Sequence, residues 1–302
     1  MKQEFYSNGK LLLTGEYLVL DGATALAIPT KFGQTLEIAT SEKPGIRWKS
    51  IDHLNKIWYR GDFSMEEETL RNDGTIDPIT HQLLRILQSA KEMNSKFLTS
   101  SIGYEITTKL DFPRDWGLGT SSTLLNNIAQ WAQIDAYKLL KASFGGSGYD
   151  IAAAQNDTPI LYTIEQNDVK VEQVRLPWSF TQQLFFVHLN KKQNSKDGIS
   201  HYRNTSFSND ELIAISTISK RISLSTTINE FSSLVNEHEA IISSILKIPS
   251  VKEELFSDYK NTIKSLGAWG GDFILAIGGE KEREYFRRKG YQTIVSFSEM
   301  IK

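Results

Sequence analysis

The sequence predicts an α+β protein of two domains, and three observations lead there. Strand-like runs and helical stretches are mixed along the chain, without the regular βαβ alternation of a doubly wound sheet. The 302 residues, 40% of them hydrophobic, suffice for two modest domains that each bury a core. A strongly apolar segment, Leu184–Leu189, opens a new set of elements after the Pro177-Trp178 turn. The expected division is therefore 1–180 and 181–302.

Element by element, Leu11–Leu13 and Tyr17–Leu20 read as strands, followed by a turn at Asp21-Gly22. Thr35–Ile38 alternates, and Arg47–Trp48 and Ile57–Tyr59 continue as short strands. Glu66–Leu70 and Ile79–Met93 carry helical spacing, the latter through Leu83, Leu84, Ile86 and Leu87. Ile102–Thr108 is a strand by its β-branched content and leads into the loop Asp111–Gly119. A long helical stretch runs from about Ser121 to Lys141, with Leu124, Leu125, Ile128, Trp131 and Ala132 on one face and Asp135 placed to cap a second segment. Gly145–Gly148 breaks it, and Ile151–Gln155 is an alanine-rich helix. Ile160–Thr163, Val169–Val174, Leu184–Leu189, Phe273–Ile277 and Thr293–Phe297 read as strands. Glu211–Leu246 is mostly helical, and a charged helix spans Glu280–Lys289.

A formal net charge of -2 argues against a general nucleic-acid binder, while leaving room for a local basic pocket. The chain has no cysteine, which rules out disulfides, thiolate metal sites and a cysteine nucleophile, and fits a reducing compartment. MKQEFYSNGKLLL lacks the pattern of a cleaved signal, and the longest apolar runs are too short to span a bilayer. The expectation is a cytoplasmic protein with no membrane partner.

Four segments carry candidate chemistry. Trp116-Gly117-Leu118-Gly119-Thr120-Ser121-Ser122 opens the long helix. Its glycines let a backbone approach a polyphosphate, the helix N-terminus offers N–H groups and partial positive charge, and the hydroxyls suit phosphate or Mg²⁺. A plain glycine turn followed by a Ser/Thr N-cap reads equally well from these residues alone. No Gly-Lys-Ser/Thr follows, so it is not a Walker A loop. Gly267-Ala268-Trp269-Gly270-Gly271-Asp272 precedes the strand Phe273–Ile277 and allows close approach of a ligand, or forms a tight turn. Lys10 and Glu16 flank an apolar strand, either as solvated ends or as functional charges. Asp150, in Gly146-Ser147-Gly148-Tyr149-Asp150, either serves the helix N-terminus or acts as a base.

In this order the four segments resemble the GHMP kinase superfamily, nearly end to end. Gly9-Lys10 through Gly15-Glu16-Tyr17 resembles the first family motif, Gly117–Ser122 the second, Gly267–Asp272 the third, and Ser147–Asp150 the segment with the catalytic Asp. Gly15-Glu16-Tyr17 and Gly148-Tyr149-Asp150-Ile151-Ala152-Ala153-Ala154 look most similar to the mevalonate-pathway branch, phosphomevalonate kinase more than mevalonate kinase. Asn194-Ser195-Lys196 resembles the substrate loop of that branch, where Lys191, Lys192 and Lys196 would meet a phosphorylated substrate. There are departures: Thr120 replaces a Ser, Asn8 a Pro, and Trp269 a Gly, adding bulk where relatives leave room. The stretch from Ser121 to Asp150 is shorter than in relatives and lacks a region that in some of them supplies a second Mg²⁺ ligand.

The resemblance implies a two-domain GHMP kinase fold: an N-terminal nucleotide-binding domain like ribosomal protein S5 domain 2, and a ferredoxin-like C-terminal domain. It implies ATP and Mg²⁺ as cofactors. Gly117, Leu118, Gly119, Thr120, Ser121 and Ser122 would hold the phosphates, and Ser121 the metal. Asp150 would act on the acceptor with Lys10 beside it, and Glu16, Tyr17, Ser195, Lys196, Gly270 and Gly271 would line the substrate side. It implies a small-molecule acceptor, mevalonate or phosphomevalonate first, and allows a homodimer. The alternatives are an ATP-dependent decarboxylase of the same fold, disfavoured because no Arg neighbours Asp150, a non-catalytic binding protein, and a sugar or amino-acid kinase.

Overall fold

The first strand is mostly exposed at its start and continuously buried from Ser7 to Thr14. Lys2–Thr14 (β1) and Ala25–Ser41 (β2) pair with each other, and both continue through two contact units. The structure, a computed structural model, describes residues 2–66, 69–72, 74, 77–99, 102–166, 168–191 and 195–302, with the backbone alone for 195 and 196. Asn194 and Lys192 of the expected substrate loop lie outside the described residues, as do the side chains of Ser195 and Lys196.

The first unit comprises residues 1–9, 32–114 and 118–155. Gly45–Ile51 (β3), Ile57–Glu66 (β4), Thr69–Asn72 (β5) and Gly103–Leu110 (β6) extend the sheet in the order β5-β4-β3-β6-β2. All neighbours are antiparallel except β3 with β6. Four helices accompany it: Pro78–Met93 (α1), Thr120–Ala132 (α2), Ala136–Ser143 (α3) and Tyr149–Ala154 (α4). Their apolar faces join one sheet face in a core that includes Trp48, Phe63, Leu87, Ile106, Leu125, Ile128, Leu139 and Ile151.

The second unit comprises residues 10–31, 115–117 and 156–302. Ile160–Glu165 (β7) pairs with the start of β2 and with Asp168–Gln173 (β8). Then follow Leu184–His188 (β9), Ser195–Tyr202 (α5), Asn209–Leu224 (α6), Ile228–Leu246 (α7), Val251–Leu255 (α8), Ile263–Ser265 (β10), Phe273–Ile277 (β11), Glu280–Arg288 (α9), Ile294–Ser296 (β12) and Phe297–Met300 (α10). The second sheet has the order β10-β11-β9-β12, with every pairing antiparallel. Taken as β9, helices, β10, β11, α9 and β12, this is the βαββαβ ferredoxin-like arrangement.

Several local expectations are corrected. Tyr17–Leu20 is not a strand: Gly15 at φ +86° ends β1, and Leu18–Asp21 forms a 3₁₀ turn closed by Gly22 at φ +96°. Where a helix was expected over Glu66–Leu70, Glu66 ends β4 and Thr69 begins β5, with Met65 opposite Leu70. A lone buried Leu70 between exposed neighbours is a two-residue period. The stretch from Ser121 to Lys141 breaks at Gln133, in the left-handed region, and Asp135 caps α3 by accepting from the N–H groups of Tyr137 and Lys138. Glu211–Leu246 is two helices, because Ser225 ends one and the Thr227 side chain caps the next. Among the described residues, no helix is long and apolar enough to cross a membrane.

Candidate active site

The short segment Asp115–Gly117 is docked into the second unit by three strands. From β1, Lys10 sends its Nζ to the Gly117 carbonyl at 3.4 Å. From β9, His188 Nε2 lies 3.2 Å from the Asp115 carbonyl. From β11, Phe273 meets the Trp116 ring edge-on, with centroids 5.3 Å apart. Gly117 sits at φ +66°, and a Cβ there would overlap the carboxylate of Asp272. The first, second and third sequence motifs therefore meet at one glycine. Lys10 is 9% exposed, which excludes the solvated strand end that the sequence left open.

In the first unit the same loop becomes the N-terminus of α2. Gly119, at φ +90°, is the N-cap and supplies no side-chain hydrogen bond. Ser122 turns its hydroxyl away from capping, donating to the Gly119 carbonyl at 2.9 Å. The first turn thus presents backbone N–H groups without a side-chain cap, which favours the anion-binding reading over the Ser/Thr-cap reading. Thr120 is half-buried and Ser121 exposed, so both hydroxyls stand where a ligand can reach them. Gly148, at φ +89°, starts α4 and places Asp150, half-buried, in its first turn.

The loop at 267–272 is anchored rather than open throughout. The Tyr17 hydroxyl donates to the Ala268 carbonyl at 2.9 Å. Trp269, at φ +54°, is 4% exposed and packs with Tyr17, Leu18 and Tyr202. Its bulk fills the core beneath the loop instead of the space above it. Gly270, at φ +132°, has open space where a Cβ would point, and Gly271 is buried.

Glu16 is buried, and its carboxylate is engaged inside the protein. Oε1 takes an ion pair from Lys264, and Oε2 lies 3.2 Å from His238 Nε2. Lys264 also reaches Glu239 Oε1 at 3.0 Å, while the other oxygen of Glu239 accepts from the N–H and hydroxyl of Ser265. His238 Nε2 accepts the Gly15 N–H at 3.0 Å. Burial pushes the Glu16 carboxyl up to about 7, against the pull of Lys264. Burial, reinforced by the Lys264 charge, holds His238 well below the ordinary imidazole range. The single lone pair of Nε2 is taken by the Gly15 N–H, so the imidazole is neutral with its proton on Nδ1, and a protonated Glu16 carboxyl relieves the repulsion between Oε2 and that nitrogen. This network fixes the turn after β1 to β10, the strand that leads into the loop at 267–272.

Sequence reasoning named Lys10, Glu16, Tyr17, Gly117, Gly270 and Gly271, which fall in the second unit, and Leu118, Gly119, Thr120, Ser121, Ser122 and Asp150, which fall in the first. It missed Asp272 and His188 as partners of the Asp115–Gly117 segment, and Lys264, His238 and Glu239 as partners of Glu16. The available signal was a charge within an apolar stretch, as at Lys264 in Ile263-Lys264-Ser265-Leu266. Among the described residues, no group of three or more His, Asp or Glu is arranged to hold a metal ion.

No protein-family model and no curated protein sequence matches the chain. Solved structures do. Phosphomevalonate kinase from Streptococcus pneumoniae, in complex with phosphomevalonate and AMPPNP, superposes with a TM-score of 0.73 at 14% identity, over 97% of this chain and 99% of that one. Mevalonate kinase from Methanococcus jannaschii superposes with a TM-score of 0.68 at 14% identity, over 97% of each chain. Lactococcus lactis galactokinase, complexed with galactose, gives 0.68 at 13% identity, over 98% and 92%. The chain has the GHMP kinase fold over nearly its whole length. Among its structural neighbours are kinases of mevalonate and of phosphomevalonate.

Proposed function

We propose that the chain is an ATP-dependent small-molecule kinase whose acceptor is mevalonate or phosphomevalonate. The observation that carries the reading is the meeting of Lys10, Gly117 and Asp272, with an uncapped helix N-terminus two residues further on. Mg-ATP supplies the transferable phosphoryl group. The first-turn N–H groups of α2 and the hydroxyls of Thr120 and Ser121 would hold its β- and γ-phosphates, and the Ser121 hydroxyl would also be a ligand for Mg²⁺, which neutralises phosphate charge. Mg²⁺ usually keeps several waters and is held by substrate phosphates with one or two protein carboxylates, and the Ser121 hydroxyl would add one protein oxygen to that set. Lys10 offsets negative charge on the group in transfer. Asp150 orients an acceptor hydroxyl and takes its proton; toward a phosphate acceptor it acts by orientation. Gly270 and Gly271 would line the acceptor side, and the resemblance assigns Ser195 and Lys196 to the same role. Glu16 and Tyr17 act on it indirectly, by holding the loop at 267–272.

The test is a coupled ATPase screen of mevalonate, phosphomevalonate, homoserine and common sugars, with CO₂ release followed in parallel. Turnover on mevalonate or its phosphate, without CO₂, is expected. Asp150→Ala is expected to lower kcat by at least about 10³-fold while calorimetry still detects Mg-ATP binding. Near-normal turnover of Asp150→Ala would sink the role of Asp150, and a wild-type chain that does not bind Mg-ATP would sink the kinase reading.

A further inference from the structure

A chain of neutral hydrogen bonds in the first unit runs from α4 to α2 and on into the strands. Gln155 Nε2, at the C-terminal end of α4, donates to Asn126 Oδ1 at 2.9 Å. Asn126 Nδ2 donates to Ser7 Oγ at 2.8 Å, and Ser7 Oγ donates to Asn127 Oδ1 at 2.7 Å. Asn127 Nδ2 donates to the Gln34 carbonyl at 2.8 Å, and the Gln34 side chain accepts from the Thr123 hydroxyl at 2.7 Å. Ser7, Asn126, Asn127, Gln34 and Thr123 are each at most 1% exposed.

Two adjacent asparagines buried in the middle of a helix are poor helix formers and poor core residues. They are tolerable only when every polar atom is matched, and here the donors run head to tail with each acceptor used. The arrangement fixes the amide orientations: reversing Asn126 would set its amide against that of Gln155, donor against donor, and reversing Asn127 would set its oxygen against the Gln34 carbonyl, acceptor against acceptor. It also joins two particular helices. α2 begins at Thr120, inside the phosphate loop, and α4 carries Asp150 in its first turn. α4 is only six residues long, so securing its far end at Gln155 limits how Asp150 can tilt.

We propose that Asn126 and Gln155 are positioning residues that hold the Asp150 helix at a fixed setting on the phosphate-loop helix. This rests on the reading of Asp150 given above, and it goes beyond that reading by naming what sets its position relative to α2. Gln155 is exposed enough for Gln155→Ala to remove the amide without opening the core, and Asn126→Ala removes the other partner.

The experiment combines steady-state kinetics with hydrogen exchange on the full chain, with and without Mg-ATP. In both variants kcat is expected to fall about ten- to a hundredfold with the ATP KM within about twofold, as for a displaced reacting group. The double variant should be no worse than the poorer single one, since both remove the same link. Amide exchange over 148–155 should quicken about tenfold in Gln155→Ala while 120–132 stays within about twofold. Unchanged kcat together with unchanged exchange over 148–155 would overturn the proposal. So would an ATP KM that rises as much as kcat falls, or additive losses in the double variant. Exchange needs no turnover. A wild-type chain inactive on every acceptor would therefore defeat the kinase reading, while exchange over 148–155 still decides the link between the helices.

Discussion

One polar network in the first unit is neutral: Gln155, at its exposed end, and the buried Asn126, Ser7, Asn127 and Gln34 pass hydrogen bonds in one direction. A network in the second unit is ionisable: Glu16, Lys264, Glu239 and His238 share one apolar interior. Both networks hold a glycine-started segment of the candidate site, so the same task is met by two kinds of chemistry. The neutral chain loses one bond's worth of stability when a member is removed, and pH does not touch it. The ionic cluster stands only while its charges balance, because a lone charge in a dry interior cannot recover its hydration. The two should therefore differ in both the size and the pH dependence of their response to mutation.

The largest effect is expected from Lys264→Met. It leaves the buried Glu239 carboxylate, and Glu16 to the extent that it is ionised, without their cation and should cost about 3–5 kcal/mol, read from the urea midpoint at pH 7. Adding Glu16→Gln and Glu239→Gln should recover most of that loss, since the uncompensated charge is then gone. A Lys264→Met chain as stable as the parent would show that the cluster is hydrated and does not anchor the loop at 267–272.

The next effect is a slope. Glu16 sits near 7 folded against 4.5 unfolded, so its stabilising contribution is fully present below 4.5 and is lost as pH rises toward 7. His238 runs the other way. Its folded value lies well below 6.5, so its contribution is present above 6.5 and is lost as pH falls. Between about 4.5 and 6.5 the folded state carries one proton on Glu16 and the unfolded state one on His238, and the two slopes offset each other. His238→Gln keeps an acceptor for the Gly15 N–H but removes one side of the balance. Relative to the parent, its stability should then fall by about 1.4 kcal/mol per pH unit across that window. Parallel profiles for parent and variant would contradict the protonated Glu16 and neutral His238.

How far these features were legible in the sequence depends on where their partners lie. The glycine loop that opens α2 could be read because its glycines, hydroxyls and helix are contiguous at 117–132, and β9, β11 and β12 because they are short apolar runs, while β10 was missed because Lys264 interrupts it. Tyr17–Leu20 misled because four apolar residues fit a strand or a single helical turn alike, and only the Gly15 backbone decided it. Trp269 read as bulk in a glycine loop because a letter carries no φ; at +54° its side chain goes into the core. The ionic cluster was invisible for a different reason. Glu16 and Lys264 are 248 residues apart, and a charge in an apolar stretch announces a partner without naming it. The relay was hidden for the same reason, since Ser7 and Asn127 are 120 residues apart and both look like ordinary polar letters.

The smallest effect tests the neutral side. Asn127→Leu is close in size but removes the acceptor of Ser7 and the donor to the Gln34 carbonyl, leaving two buried groups unmatched. The expected cost is about 1–3 kcal/mol, below that of Lys264→Met because no full charge is stranded. Its stability profile from pH 4.5 to 8 should run parallel to the parent's, since no titrating group lies in the chain from Gln155 to Gln34. Adding Ser7→Ala to Asn127→Leu should cost less than Ser7→Ala alone, because its hydroxyl has by then already lost its acceptor. A pH-dependent loss in Asn127→Leu would mean that the variant disturbs the second unit as well, and the contrast between a neutral and an ionic network would no longer separate the two units.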